Sequence, residues 1–213
     1  MFDSGVKAGE LIAEINTEAD IAIPVPDGKY LEWLSALEQL LYSEFIQEQR
    51  WAHVEPEEIF GVGGEVDKEE RIQIPFNKIT PKAGESPVRY EDIYTIYAGE
   101  TQLIQSTPTS GIIFPDTWYK LNENTIGLNM GKVPSLVDVV YFVRPKIKEE
   151  TDGKNQPVYV PYEFLELVRS KLRGEAYKLA NEDNLAAKWI NDYNVNLQSF
   201  QGWIARRKSN FGM

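Results

Sequence analysis

The stretch VPYEFLELVRSKLRGEAYKLANEDNLAAKWINDYNVNLQSFQGWIARR, residues 160–207, decides the architecture. Pro161 stands where a helix can begin, because its missing N–H is harmless at a first helical position. Phe164, Leu165, Val168, Leu172, Ala176 and Leu179 then recur at helical spacing, which predicts a helix over residues 162–180. Residues 181–184 form a short polar hinge. Beyond it Leu185, Trp189, Tyr193, Leu197, Phe200 and Ile204 are spaced by four, four, four, three and four, one face of a helix ending near Arg206. So short a hinge folds the two helices into an antiparallel hairpin. The outer face of the second helix carries Asn191, Asn194, Asn196, Gln198, Ser199 and Gln201, and only Lys188 and Asp192 are charged between Leu185 and Ala205. A solvated helix usually holds more charge, and interface cores are depleted in it. Asn191, Asn194, Gln198 and Gln201 are therefore expected at a subunit interface; a merely polar surface is the plainer alternative.

Helical spacing returns at the other end of the chain. Ala8, Leu11, Ile12 and Ile15 predict a helix over residues 4–16, with Ser4 as its cap. After the proline-containing IAIPVPDG, a stronger helix starts at Asp27 and runs to about Glu48. Its stripe is Tyr30, Trp33, Leu34, Leu37, Leu41 and Phe45; Glu32, Glu38, Glu44 and Glu48 mark the opposite, solvated side.

The middle reads differently. Gly61, Gly63 and Gly64 break the chain, and prolines 75, 81, 87, 108, 115, 134 and 145 recur too closely for helices. Between them lie β-favouring runs: RIQIPF, DIYTIYA, TQLIQS, GIIF, TIGLNM and VDVVYFV. The expected fold class is α+β: a four-helix bundle built from both ends, residues 1–55 and 149–205, with an antiparallel β domain inserted at 56–148. That insertion is expected to be a sandwich or a partly closed barrel. Residues 206–213, with three positive charges and no acid, form a C-terminal arm.

Composition limits the chemistry. The chain has no cysteine and a single histidine, His53, which excludes thiolate sites and two-histidine metal motifs. MFDSGVKAGE lacks the character of a signal peptide, and no apolar run suits a membrane span, so a soluble, intracellular protein is expected, without a membrane partner. The net charge is −11, divided as −8 over residues 1–55, −3 over 56–148 and 0 over 149–213. So acidic a chain suits no tight DNA binder. GVGG at 61–64 matches neither a P-loop nor a dinucleotide fingerprint. Glu57-Glu58 and Glu69-Glu70 are adjacent pairs whose side chains do not converge, as acid–base catalysis would require. Asp152 and Asn155 do not fit a calcium loop, and Ser106, Ser110 and Ser135 have no histidine nearby in sequence. No catalytic, cofactor or metal residue is expected, and an enzyme or a glycan-binding module is the weaker alternative.

GELIAEIN (9–16), DGKYLEWLSALEQLLYSEF (27–45) and the closing stretch 160–207 together resemble the head–tail adaptor proteins of tailed bacteriophages. The likeness lies in the order of elements over about 110 residues at the two ends, and the β insertion is similar in position to that of the larger, gatekeeper-type adaptors of short-tailed phages. The resemblance implies a virion neck protein assembled in the host cytoplasm as a ring, commonly of twelve subunits. Such a ring docks beneath the portal protein, meets downstream tail or neck proteins, and extends a channel through which double-stranded DNA passes without specific binding. A net negative chain would let the polyanion slide. The same likeness would make Arg206, Arg207, Lys208, Asn210 and Phe211 a portal-contact arm. The loop around Ile112, Ile113 and Phe114 is the expected distal contact. Another neck or tail component, such as a stopper, tail-completion or baseplate protein, is the alternative.

Overall fold

A computed structural model describes residues 1–18, 24–58, 72–107, 115–130 and 134–211, with side chains as far as Lys208. The chain divides into two compact units, Met1–Gln47 with Arg144–Met213, and Glu48–Val143. The class is α+β, with four α-helices in the first unit and one curled, half-barrel sheet in the second.

In the helical unit α1 spans Ala8–Glu18, α2 Asp27–Leu41, α3 Leu165–Leu179 and α4 Asp183–Phe211. Their apolar stripes meet in one core of Leu11, Ile12, Ile15, Tyr30, Leu34, Leu37, Leu41, Val168, Leu172 and Phe200, all at most 2% exposed. Burying a side chain of this kind contributes about 1.5–3 kcal/mol, so this core is the main support of the unit. A ring cluster closes one side: Phe200 meets Phe164 at 5.1 Å, Trp203 at 6.2 Å and Phe45 at 6.5 Å, and Phe2 meets Trp203 at 5.7 Å. The hairpin expected of α3 and α4 is present, and Asn181 turns it with φ +59°. Ile190 packs where a side chain on Gly174 would stand, which lets the two helices approach closely. Arg169 forks onto both carboxylate oxygens of Glu14 at 2.7 and 3.0 Å, and Arg173 pairs with Glu18, so two ion pairs tie α3 to α1.

Local details depart from expectation. α1 starts at Ala8, and Ser4 does not cap it; the Ser4 N–H donates to Val158 O and the Val158 N–H to Val6 O, so residues 4–7 run beside 156–158. α2 ends at Leu41 in a π-turn, Tyr42–Ile46, closed by Gln47 with φ 47°. A strand begins two residues later, so the helical half ends at Gln47 rather than near residue 55. The other boundary lies at Val143/Arg144, before the polar stretch 149–157. Within that stretch Gly153 is buried and most other residues are exposed, while the Gln156 C=O accepts the Ala8 N–H at 2.9 Å and so ties it to the start of α1. α4 does not stop near Arg206 but continues through Phe211, so residues 206–211 are helix and not a free arm.

The sheet contains β1 (Gln49–Val54), β2 (Glu57–Glu58), β3 (Ile72–Pro75), β4 (Ile93–Ala98), β5 (Thr101–Gln105), β6 (Thr117–Asn122), β7 (Thr125–Asn129) and β8 (Val137–Phe142). Their order is β1-β8-β4-β5-β6-β7-β3-β2. A single curled sheet corrects the sandwich alternative and leaves the partial barrel. The expected antiparallel pairing holds except between β5 and β6, which pair in parallel at Ile104↔Thr117 and Gln105↔Trp118. One sheet face is apolar, with Val54, Ile96, Leu103, Val137, Val139 and Tyr141 all buried. On β7 Gly127 stands opposite Tyr119 of β6, whose ring fills the space a side chain would need. The expected run at 111–114, with Ile112, Ile113 and Phe114, lies outside the described residues, as do Gly61, Gly63 and Gly64.

Candidate interaction surfaces

The outer face of α4 is the first candidate. Asn191, Asn194 and Gln198 are exposed and Gln201 is half-buried, while Phe200 and Ile204 face the core. The expected interface residues thus share one solvent side of a single helix. Val195 lies among them and is 56% exposed, while Ile190, 38% exposed, sits at the edge of this face against Gly174 of α3. Leu185, expected in the core stripe, lies instead in the first turn, near the hairpin end, where Leu179 of α3 is exposed as well. Cations of α3 cap the aromatic flank of α4: Arg173 lies 4.6 Å from the Trp189 ring and Lys171 5.2 Å from that of Tyr193. Those cations carry their own carboxylates, Glu18 and Glu175. The open side of α4 is left with amides, small residues and aliphatic side chains.

The basic end of α4 is held down. The Arg207 guanidinium lies 5.2 Å from the Phe2 ring and 5.3 Å from Trp203, and the Lys208 ammonium donates to Gln47 Oε1 at 3.1 Å. The Phe2 N–H donates to Tyr42 Oη at 2.6 Å, so the N-terminal segment, the π-turn and the end of α4 support one another. Arg206 and Arg207 stay exposed at the surface of this cluster. Asn210 and Phe211 fall within the helix.

Sequence reasoning missed one constellation. Glu38, expected on the solvated side of α2, is fully buried. Its carboxylate accepts the Lys148 ammonium at 2.5 Å and the Tyr159 N–H at 2.8 Å. The Lys148 ammonium also sits 4.3 Å from the Tyr159 ring, and the Lys148 N–H donates to Ser35 Oγ. Burial pushes the Glu38 carboxyl up and the Lys148 amine down, and each group's charge opposes the shift of the other. With both side chains inaccessible to solvent, this pair fastens the segment after Val143 to α2 and offers no reactive group to a substrate. The signal was present: Leu31, Ser35, Glu38 and Tyr42 recur at four, three and four, along the buried side of the helix.

The sheet carries a third surface. Trp51 and Tyr97 stack with ring centres 5.5 Å apart, Tyr94 meets Phe142 edge-on, and Trp51 and Tyr94 are more than half exposed. His53 pairs with Asp138 directly across from it on β8 and does not cap a helix. Tyr141 hydrogen-bonds Glu85, and burial, then the charge of that carboxylate, pushes its hydroxyl up to about 12. Among the described residues no three His, Asp or Glu side chains gather at metal-binding spacing, and no helix is long and apolar enough to cross a membrane. No family model matches the chain, and no curated protein matches it.

Proposed function

We propose that this chain is a structural virion protein, a head-to-tail adaptor that assembles into a ring, of twelve subunits by the family's habit, between the portal and the tail. One observation supports the reading: the 29-residue α4 presents amides and the exposed Val195 on its open side, with almost no charge, in a chain of net charge −11. A face of that kind suits contact with a neighbouring copy, where amides keep hydrogen-bonding partners and no charge is desolvated. In a closed ring it meets a different patch of the next subunit. The four helices supply the bundle of such a subunit, and the curled sheet supplies an appendage that reaches tail or neck proteins. The exposed Arg206 and Arg207 at the end of α4 suit an acidic patch on the portal; contact there uses a braced helix end rather than a loose arm. The acidic surface lets DNA pass without being held.

Native mass spectrometry of the protein mixed with its cognate portal tests this. The mass added should correspond to the number of copies set by the portal's symmetry. The triple variant Asn191→Glu/Asn194→Glu/Gln198→Glu should lose ring formation, yet keep monomer stability within about 0.5 kcal/mol, as is usual for surface positions. An added mass unrelated to the portal's symmetry, or a triple variant that still closes the ring, overturns the proposal.

A further inference from the structure

β1 lies at one end of the strand order, and its open side differs in kind from the α4 face. Among the described residues β1 is an end strand of the sheet and pairs with β8 alone. The Val143 N–H donates to Glu48 O at 2.8 Å, which fixes the phase of this antiparallel ladder. Residues 50, 52 and 54 turn their backbone groups toward β8, and Gln49, Trp51 and His53 turn theirs outward. No described residue pairs with those outward N–H and C=O groups. An exposed row of this sort is a template for another strand.

The surroundings select what could lie there. A groove of about 390 Å³ runs along the strand, lined by the five consecutive residues Gln49–His53 and by Lys78, Thr80, Lys82 and Tyr141. Arg50, His53, Lys78 and Lys82 line it and no carboxylate does, although the whole chain is strongly acidic. Arg50 is shared with Glu48 at 2.8 Å and Glu85 at 3.4 Å, Lys78 is shared with Glu57 at 3.1 Å, and His53 with Asp138. The Lys82 side chain has no ion pair among the described residues, its backbone N–H alone bonding Glu85. In the same groove the exposed Trp51 ring offers an apolar shelf to alternate side chains of an added strand.

We propose that this edge receives an extended acidic segment of another protein by strand addition, main-chain hydrogen bonds to Gln49, Trp51 and His53 giving affinity and Lys78, Lys82 and Arg50 selecting acidic side chains. A second copy of this chain is the poorer occupant. Edge-to-edge pairing of β1 with itself would bring two cation-lined grooves together, and like charges so placed repel. The site is built from residues of the sheet unit alone and does not depend on ring formation.

Fluorescence anisotropy with a labelled hexapeptide of alternating Glu and Val, titrated with the intact protein, tests it. Saturable binding is expected, weakening roughly tenfold or more in Lys78→Glu/Lys82→Glu, and weakening as salt rises from about 0.05 to 0.5 M. The same peptide N-methylated at alternate residues, which cannot complete the ladder, should bind at least about tenfold more weakly to the unaltered protein. A peptide with Lys in place of Glu should not bind. The inference is overturned if no peptide binds, which would mean that the lysines merely guard the edge, or if the N-methylated peptide binds equally well. It is also overturned if sedimentation shows self-association that Lys78→Glu/Lys82→Glu removes.

Discussion

Replacing Lys148 with Met should unmask the energetics of the Glu38 pair. The carboxylate would remain fully buried with the Tyr159 N–H as its one remaining donor. Removing one member of a buried ion pair costs about 3–5 kcal/mol. For a chain of this size 1 kcal/mol corresponds to about 2–4 °C, so the helical unit should melt roughly 6–20 °C lower. The double variant Glu38→Gln/Lys148→Met keeps an amide oxygen for the Tyr159 N–H and leaves no buried charge, so it should recover most of the loss. The pH dependence has a definite sign. Burial already holds the Glu38 carboxyl above its ordinary value, opposed by Lys148. Without that amine the folded form takes up a proton at a pH where the unfolded chain does not. Stability of Lys148→Met must therefore rise as pH falls from neutral toward the ordinary carboxylate range, and level off below it. Guanidinium unfolding monitored by far-ultraviolet circular dichroism, at about pH 7 and pH 5, measures both effects. A loss below about 1 kcal/mol, a loss no smaller at the lower pH, or a double variant as weak as the single one would refute the reasoning.

Other expectations concern packing. Phe200→Ala empties the ring cluster shared with Phe45, Phe164 and Trp203, and should cost about 3–5 kcal/mol in denaturant unfolding. Gly127→Ala drives a methyl group into the Tyr119 ring and should cost about 1–3 kcal/mol, seen as a lower melting temperature of the sheet unit. Phe2→Ala should red-shift the emission of Trp203 and raise proteolysis near the end of α4, because that ring braces Trp203 and Arg207; unchanged cleavage there would count against the bracing.

The helices were legible because their stripes are long and regular. α3 and α4 show why: Leu165, Val168, Leu172, Ala176, Phe200 and Ile204 are all buried as their spacing requires. The strands at β3, β4, β5, β7 and β8 were legible from β-branched and aromatic runs. β1 was hidden because QRWAHV comes after a strong helical stripe without a proline or glycine between, and the stop is made by the π-turn and the left-handed Gln47, which spacing does not report. β6 was hidden because TWYKLN is buried at three successive positions, so it does not alternate. The burial of Glu38 was readable from its place beside Leu31, Ser35 and Tyr42, whereas its partner Lys148, more than a hundred residues away, left no local pattern. The basic end of α4 read as an arm because its charge changes abruptly, yet Phe2 and Gln47 supply the brace from the far end of the chain.

The helical unit is discontinuous, and this orders events during synthesis. α1 and α2 leave the ribosome with their apolar stripes bare, and the helices that cover them are encoded after residue 143. The sheet unit is one unbroken stretch and can complete its ladder first, drawing Glu48 and Val143 together through their shared hydrogen bond. If the sheet closes that long loop early, α3 and α4 meet the first pair at a lower entropic cost than a free chain would incur. A defect in the sheet would then be felt first as a slow or aggregating helical unit.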